Sequence, residues 1–464
     1  MTYLPTIASL KSHPVPDWYN DAKLGMMICW GLYSVPGWAP LTGELAEIAQ
    51  TEGFEAFFAR NPYAEWYWNS MRIAGSPTWH YHRQQYGEHL DYDAFADEFN
   101  ASVEKWDPDE WGRLFRRAHV EYTVLVTKHH DGFLLWPSKR TSPYKPHYHT
   151  RRDLVGDLAE AMRRYGIRPG AYYSGGIDWS FKPYVIRNHG DVYQAIVQTP
   201  EFIDYVDYHW RELIDHYGTP ILWNDIGYPI HAPALDLFAH FYNARPDGVI
   251  NDRFGQTTEP LPVENGIVRN PDGLHFDFTT PEYSSYKEIK PFKWESTRGI
   301  GFSYGYNRAE TEETYLSAEQ AVHMLVDIVS KNGNLILNVG PMPDGTIPEL
   351  QRRCLEGLGA WLDVNGEAIF GTRPWTTAEG VTDTGVAVRF TQKDGTLFAT
   401  FLAAPRDVHV VIRSVQAQPG TEVRLLGHEP GLPWRQEGED LRVELPPGLQ
   451  PAPAYVLKLN PALS

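Results

Sequence analysis

The feature that most constrains this chain is a recurring unit: a short apolar run ending in ionisable or amide side chains, alternating with stretches of helical periodicity. The segment Pro220-Ile221-Leu222-Trp223-Asn224-Asp225-Ile226-Gly227 shows it most plainly. Three apolar residues in a row read as a strand buried on both faces, as in a parallel sheet. A carboxylate at the end of such a strand is costly unless it is hydrogen-bonded or used. Asp225 therefore either closes the strand and caps the next helix, or it carries chemistry.

Similar strand ends elsewhere favour chemistry. Apolar runs are expected at residues 24–31, 122–127, 169–174, 220–227, 248–253, 276–283, 294–296 and 334–340. Helices are expected at 108–119, 154–165, 202–217, 233–242, 317–331 and 350–364, the fourth opening on a proline that a first helical turn tolerates. A long excursion through residues 61–68 is read as a functional loop. Polar residues at nearly every strand end predict a parallel α/β barrel, a TIM-like (β/α)8 fold whose strand tips converge on one face. An open sheet would concentrate them at one switch point, with a Gly-rich loop after the first strand; none is present. Beyond residue 370 the pattern changes to short β-rich runs at 386–391, 396–402, 408–412, 422–426 and 455–459. The expected division is a barrel over residues 1–369 and a small C-terminal antiparallel β-sandwich over 370–464.

Composition narrows the function. A net charge of −18 repels phosphate backbones and anionic lipid, so neither nucleic acid nor a membrane surface is an expected partner. No apolar run approaches the ~18 residues of a membrane span, and the N-terminus has no signal-peptide pattern. With only two cysteines, Cys29 and Cys354, a cytoplasmic protein with free thiols is the expectation. Aromatics reach 14%, with 16 Trp and 27 Tyr. Such faces stack on the C–H faces of sugar rings, and a carbohydrate is the expected partner. A homo-oligomer is left open.

The candidate residues are those at strand ends and in the long loop: Cys29, Lys128-His129-His130-Asp131, Tyr172 or Tyr173, Asp225, Arg253, Glu282, Glu295 and Glu65. Two carboxylates on different strands, Asp225 and Glu282, are the equipment of a retaining glycosidase. Glu295 is read as structural or as support for the site. Adjacent histidines on one strand point to opposite faces, so at most one of His129 and His130 enters the site unless the strand has already ended. Neither the first nor the last strand carries the ligand set of a metal-dependent hydrolase, so no metal and no cofactor are expected.

These residues lie in blocks that resemble the α-L-fucosidases of glycoside hydrolase family 29, bacterial and thermophilic members in particular. The blocks include Trp30-Gly31-Leu32-Tyr33-Ser34-Val35-Pro36, Tyr63-Ala64-Glu65-Trp66-Tyr67, Lys128-His129-His130-Asp131-Gly132-Phe133, Trp223-Asn224-Asp225 and Thr280-Pro281-Glu282-Tyr283. The resemblance runs from about Pro16 to the end. It implies a retaining, exo-acting hydrolase of terminal α-L-fucosyl groups that needs no metal. Asp225 would be the nucleophile and Glu282 the general acid/base. Glu65, Trp66, His129, His130, Tyr172, Trp223 and Arg253 would contact the sugar.

Two positions depart from the family. Cys29 stands where relatives carry a histidine that donates to a sugar hydroxyl, and a thiol is a weak donor. Tyr304 stands where relatives tend to place Phe or Trp near the C5 substituent. Both raise the alternative of another α-L-hexose, L-glucose or L-galactose. A non-catalytic glycan-binding barrel is the remaining alternative.

Overall fold

The computed structural model describes residues 2–44, 48, 51–264, 267–268, 275–405 and 407–461. Eight parallel strands form its centre: β1 (Leu24–Ile28), β2 (Tyr122–Lys128), β3 (Arg168–Ser174), β4 (Ile221–Asp225), β5 (Val249–Ile250), β6 (Phe278–Thr279), β7 (Lys293–Gly299) and β8 (Gly333–Val339). Their order is β5-β4-β3-β2-β1-β8-β7-β6. The two edges meet through a parallel bridge between Asn251 and Phe278, with the Asp277 amide donating to the Ile250 carbonyl at 2.8 Å. The sheet is thus a barrel. Strands β5 and β6 are shorter than the sequence suggests, because the chain leaves the ladder to form the rim.

Helices pack outside: α1 (Asp17–Ala22) under the barrel, then α2 (Pro108–Arg117), α3 (Leu154–Arg164), α4 (Pro200–Asp215), α5 (Ala234–Ala244), α6 (Ala318–Ser330) and α7 (Glu349–Asn365). Local capping sets where several begin. Asp107, Asp153 and Thr199 side chains accept from first-turn amides, and Ser317 with Gln320 makes a reciprocal capping box. Pro233 is the N-cap residue of α5 rather than its first helical residue. The excursion after β1 is not a loop: it contains helices at Phe54–Ala59, Tyr67–Ser70, Pro77–Tyr86 and Phe95–Ser102. Aromatic residues outnumber aliphatic ones there, which blurs the apolar period. The insertion at 254–275 includes a hairpin, Val263–Glu264 with Ile267–Val268; its residues 265–266 and 269–274 lie outside those described.

Residues after 372 form a five-stranded and a three-stranded antiparallel sheet around their own apolar core. Three of their strands, Arg373–Val381, Trp434–Glu437 and Asp440–Glu444, escape the sequence reading because their faces are half-exposed and polar. The sandwich packs on α6, where Asp327 pairs with Arg389 at 2.6 Å. Among the described residues no helix is long and apolar enough to cross a membrane. Both cysteines are buried free thiols.

The barrel interior is unusually polar. Tyr122 turns inward from β2, and Gly25 on β1 makes room for it: a Cβ there would lie 2.3 Å from the tyrosine ring. Glu295 on β7 points inward to meet Tyr122, Tyr19 from α1 and Trp223 from β4. At the seam, Asn251 accepts from the Asn224 amide at 3.0 Å and donates to the Asn224 carbonyl at 2.9 Å. Replacing it by alanine leaves both β4 groups unpaired. Asn251→Ala is expected to lower unfolding stability by about 1–3 kcal/mol, read as an earlier urea midpoint; an unchanged midpoint would mean the seam does not depend on this pair.

Candidate active site

The carboxyl ends of the strands gather the candidate residues into one pocket. Asp225 is the last residue of β4, and its flanking backbone is held tightly. Asn224 Nδ2 donates to the carbonyls of Gly227 and Arg253, each at 2.8 Å. Ile226 then takes φ 48, a left-handed conformation that a β-branched residue rarely adopts. Gly176, on the loop after β3, lies so close that a Cβ would sit 2.1 Å from the Ile226 carbonyl oxygen. Glu282 has the same design. It lies beyond β6, bridged to Thr297 of β7, and is followed by Tyr283 at φ 47. Both carboxylates stand where the backbone turns sharply, and such strain collects at functional sites.

One guanidinium joins them. Arg253 donates from Nη1 to Asp225 Oδ1 at 2.7 Å and from Nη2 to Glu282 Oε2 at 3.3 Å. The arginine is itself fixed by Thr280, whose hydroxyl and carbonyl accept at 2.8 and 3.1 Å. The other oxygen of each acid has its own donor. Tyr172 donates to Asp225 Oδ2 at 2.7 Å, and Tyr63 to Glu282 Oε1 at 3.1 Å. Burial works against the charge of Arg253, but Asp225 and Glu282 outweigh it and hold its pKa above the ordinary value. Burial raises the Glu282 carboxyl pKa, with the Asp225 charge adding to it, against the lowering effect of Arg253.

Strand β2 stops at Lys128, so the alternation of faces does not extend to the two histidines. Their rings lie 4.0 Å apart, both toward the pocket. His130 Nδ1 bonds to Ser174 Oγ at 2.7 Å, and its Nε2 is 3.9 Å from Asp225 Oδ2. Burial keeps both imidazoles neutral, His130 being pushed down to about 3. Lys128 turns the other way, paired with buried Asp178 at 2.8 Å and capped by the Tyr173 ring. Tyr172 therefore faces the site, whereas Tyr173 faces outward and bonds to His209.

Glu65 and Trp66 enter from the helical excursion. Glu65 accepts from the Gly305 amide at 2.8 Å and the Ser303 hydroxyl at 3.3 Å, and burial pushes its pKa up to about 7. Trp66 packs edge-on against His130 and Trp179. Trp223 stacks on Tyr172 and lies under the Arg253 guanidinium, 4.7 Å away. Its indole N–H donates to Glu295 at 2.9 Å, which makes Glu295 a support beneath the pocket rather than a lining group. Cys29 lies 3.3 Å from the Tyr33 hydroxyl, and burial raises its pKa, so it is a neutral thiol. Tyr304 packs against Tyr63, and its hydroxyl donates to the Thr297 carbonyl at 3.3 Å.

Sequence reasoning missed Tyr63, Thr280 and the Ser303–Gly305 clamp on Glu65. The first two belong to blocks already singled out, two residues before an acid in each case. The clamp lies some 240 residues from Glu65 and leaves no local signal. Among the described residues, no three His, Cys, Asp or Glu side chains group in a way that could hold a metal ion.

Two acids on one arginine at a barrel mouth, ringed by tyrosine, tryptophan and neutral histidine, define a sugar-cleaving hydrolase. The alpha-L-fucosidase family model matches residues 1–367, and the model of the alpha-L-fucosidase C-terminal domain matches 382–460. The chain is 31% identical to the tissue alpha-L-fucosidase of Rattus norvegicus over 99% of its length and 92% of the relative's. A crystal structure of the Thermotoga maritima alpha-fucosidase in complex with fucose superposes with a TM-score of 0.85 at 43% identity, covering 98% of this chain and 100% of that one. A Thermotoga maritima alpha-L-fucosynthase gives a TM-score of 0.87 at 44% identity, with both chains fully covered. The chain belongs to the α-L-fucosidase family and is a glycoside hydrolase that cleaves α-L-fucosyl groups.

The support beneath the pocket is testable. Trp223→Phe keeps an aromatic ring but removes the N–H that Glu295 accepts. It is expected to destabilise the fold by about 1–3 kcal/mol and to lower kcat through a loosened Arg253. Calorimetry and steady-state kinetics on an α-L-fucoside check it; wild-type values in both would sever Trp223 from the site.

Proposed function

We propose that hydrolysis proceeds with retention, through a covalent glycosyl-enzyme, at terminal α-L-fucosyl groups. The observation that carries this reading is the Arg253 guanidinium shared by Asp225 and Glu282. A separation one guanidinium wide suits a retaining pair, for which about 5–5.5 Å is typical; an inverting pair stands further apart to admit water. In the first step an Asp225 oxygen bonds to the anomeric carbon, the bond to the leaving oxygen breaks, and the Glu282 proton passes to that oxygen. In the second, Glu282 takes a proton from water, whose oxygen displaces Asp225 from the carbon. Arg253 and Tyr172 hold Asp225 by both oxygens, so its approach to the carbon is preset. A complex of the Thermotoga maritima alpha-fucosidase with a mechanism-based inhibitor supports the same reading.

The surroundings of Tyr304 favour a 6-deoxy sugar. Its hydroxyl is engaged by the Thr297 carbonyl, so the residue offers its ring, and not a free donor, to a C5 substituent. A methyl suits that face better than a hydroxymethyl group, which would leave a polar atom unpaired. The pocket is closed over by Glu65 and Trp66, both buried, as an exo-acting enzyme requires.

Chemical rescue, pH dependence and substrate preference each carry an expected outcome. Asp225→Gly should lose several powers of ten in rate, and azide should restore turnover with β-L-fucosyl azide as product, since azide then attacks the substrate directly. Glu282→Ala with an activated leaving group should yield α-L-fucosyl azide, because azide enters where water does; product NMR distinguishes the two, and a β product from Glu282→Ala would overturn the acid/base role. A general acid works only while protonated, so kcat/KM should fall as pH rises through the raised pKa of Glu282. That limb should vanish in Glu282→Gln; if it persists, Glu65 is its source. Finally, nitrophenyl α-L-fucoside should exceed the α-L-galactoside and α-L-glucoside in kcat/KM by about tenfold or more.

A further inference from the structure

The floor of the barrel, at the opposite end from the pocket, holds ionisable groups that the reaction does not use. Lys23 immediately precedes β1, and Lys293 opens β7. Lys293 is two residues before Glu295, so it shares Glu295's inward face. Lys23 precedes the strand at φ 58, and its amine lies close enough to that of Lys293 for each to act on the other. Lys23 is wholly buried and Lys293 is 4% exposed. Among the described residues, neither Nζ has a hydrogen-bond partner apart from the other amine.

The neighbouring carboxylates are already committed. Glu295 accepts from Tyr19, Tyr122 and Trp223, and comes no nearer to either lysine than an ion pair would require. Asp21 pairs with Arg373 at 2.7 Å, at the junction with the C-terminal sandwich. With both amines protonated, two positive charges face one interior carboxylate, an excess of one. An uncompensated buried charge is among the most unfavourable states a side chain can occupy. Barrel interiors ordinarily fill this layer with branched aliphatic residues, which would avoid the difficulty. Two lysines here invite a ligand.

We propose that Lys23 and Lys293 together bind one monovalent inorganic anion, of the halide class, in the floor of the barrel beneath Glu295. The charge count sets the valence: a single negative charge balances the layer. Burial sets the class, since α1 and the chain around Arg373 cover the floor and an ion there must give up its water, as a halide does readily. Burial, with the Arg373 charge adding to it, pulls the Lys23 amine down to about 7, and burial with the Lys23 and Arg373 charges holds Lys293 well below its ordinary range. An anion between them opposes that effect and keeps both protonated.

The full-length protein is the test material, with bromide as the probe. Crystals grown in sodium bromide should show an anomalous peak between the two Nζ atoms. Thermal unfolding at fixed pH and ionic strength should shift upward by about 2 °C or more in sodium chloride or bromide relative to sodium gluconate, and saturate with halide concentration. Lys293→Met should remove the halide response; if that variant does not fold, Lys23→Met serves, and the bromide map of the wild type stands independently. No anomalous peak, equal melting in halide and gluconate, or an intact halide response in a folded lysine variant would each overturn the proposal. The pair would then share one proton between two amines.

Discussion

The site rests on one shared charge. Arg253 lies between two carboxylates that would otherwise repel each other across a buried pocket, and each of its terminal nitrogens serves one acid. Remove the arginine and two buried anions face each other uncompensated, which low-dielectric surroundings make far more unfavourable than in water. The guanidinium also differentiates the acids. Its contact with Asp225 is the shorter one, backed by Tyr172, whereas Glu282 is held more loosely and burial dominates its pKa. An acid clamped by an arginine and a tyrosine beside one ready to hold a proton is the asymmetry that a double-displacement reaction needs.

Beneath that arrangement runs a column of polar side chains through the barrel. Arg253 lies over the Trp223 indole, Trp223 donates to Glu295, and Glu295 is fixed by two tyrosines from α1 and β2. The first layer of the floor therefore reaches the catalytic rim through two side-chain contacts. Every link is hydrogen-bonded or stacked, so the pocket is held from below as well as from its loops. This explains why Glu295, a carboxylate at a strand near the site, is not a reacting group. All of its exchange is with protein donors.

The helical excursion closes the pocket from above, and distant chain holds it there. Glu65 is gripped by Ser303 and Gly305, and that segment is in turn anchored by Glu310, which accepts from the Phe302 and Ser303 amides at 2.6 and 3.0 Å. Neutral histidines complete the lining. Because burial drives both below their usual pKa, they offer hydrogen bonds without adding a positive charge that would compete with Arg253 for the nucleophile.

Much of this was legible in the residues themselves. Apolar runs of five to seven residues ending in polar ones, separated by capped amphipathic helices, determine a parallel barrel and mark its chemical face, since strand period and helix period are local properties. Asp225, Glu282, His129, His130 and Arg253 were all visible as strand-end residues. Tertiary structure decided what spacing along the chain cannot: that β2 stops one residue before the histidines, so both enter the pocket; that Tyr172 and not Tyr173 faces Asp225; that Tyr304 gives its hydroxyl to a backbone carbonyl; and that Tyr63 reaches Glu282 from 219 residues away. Each of these depends on where a strand ends or on a contact between remote segments. Sequence sets the period of each element, but only the closed barrel fixes its phase against its neighbours.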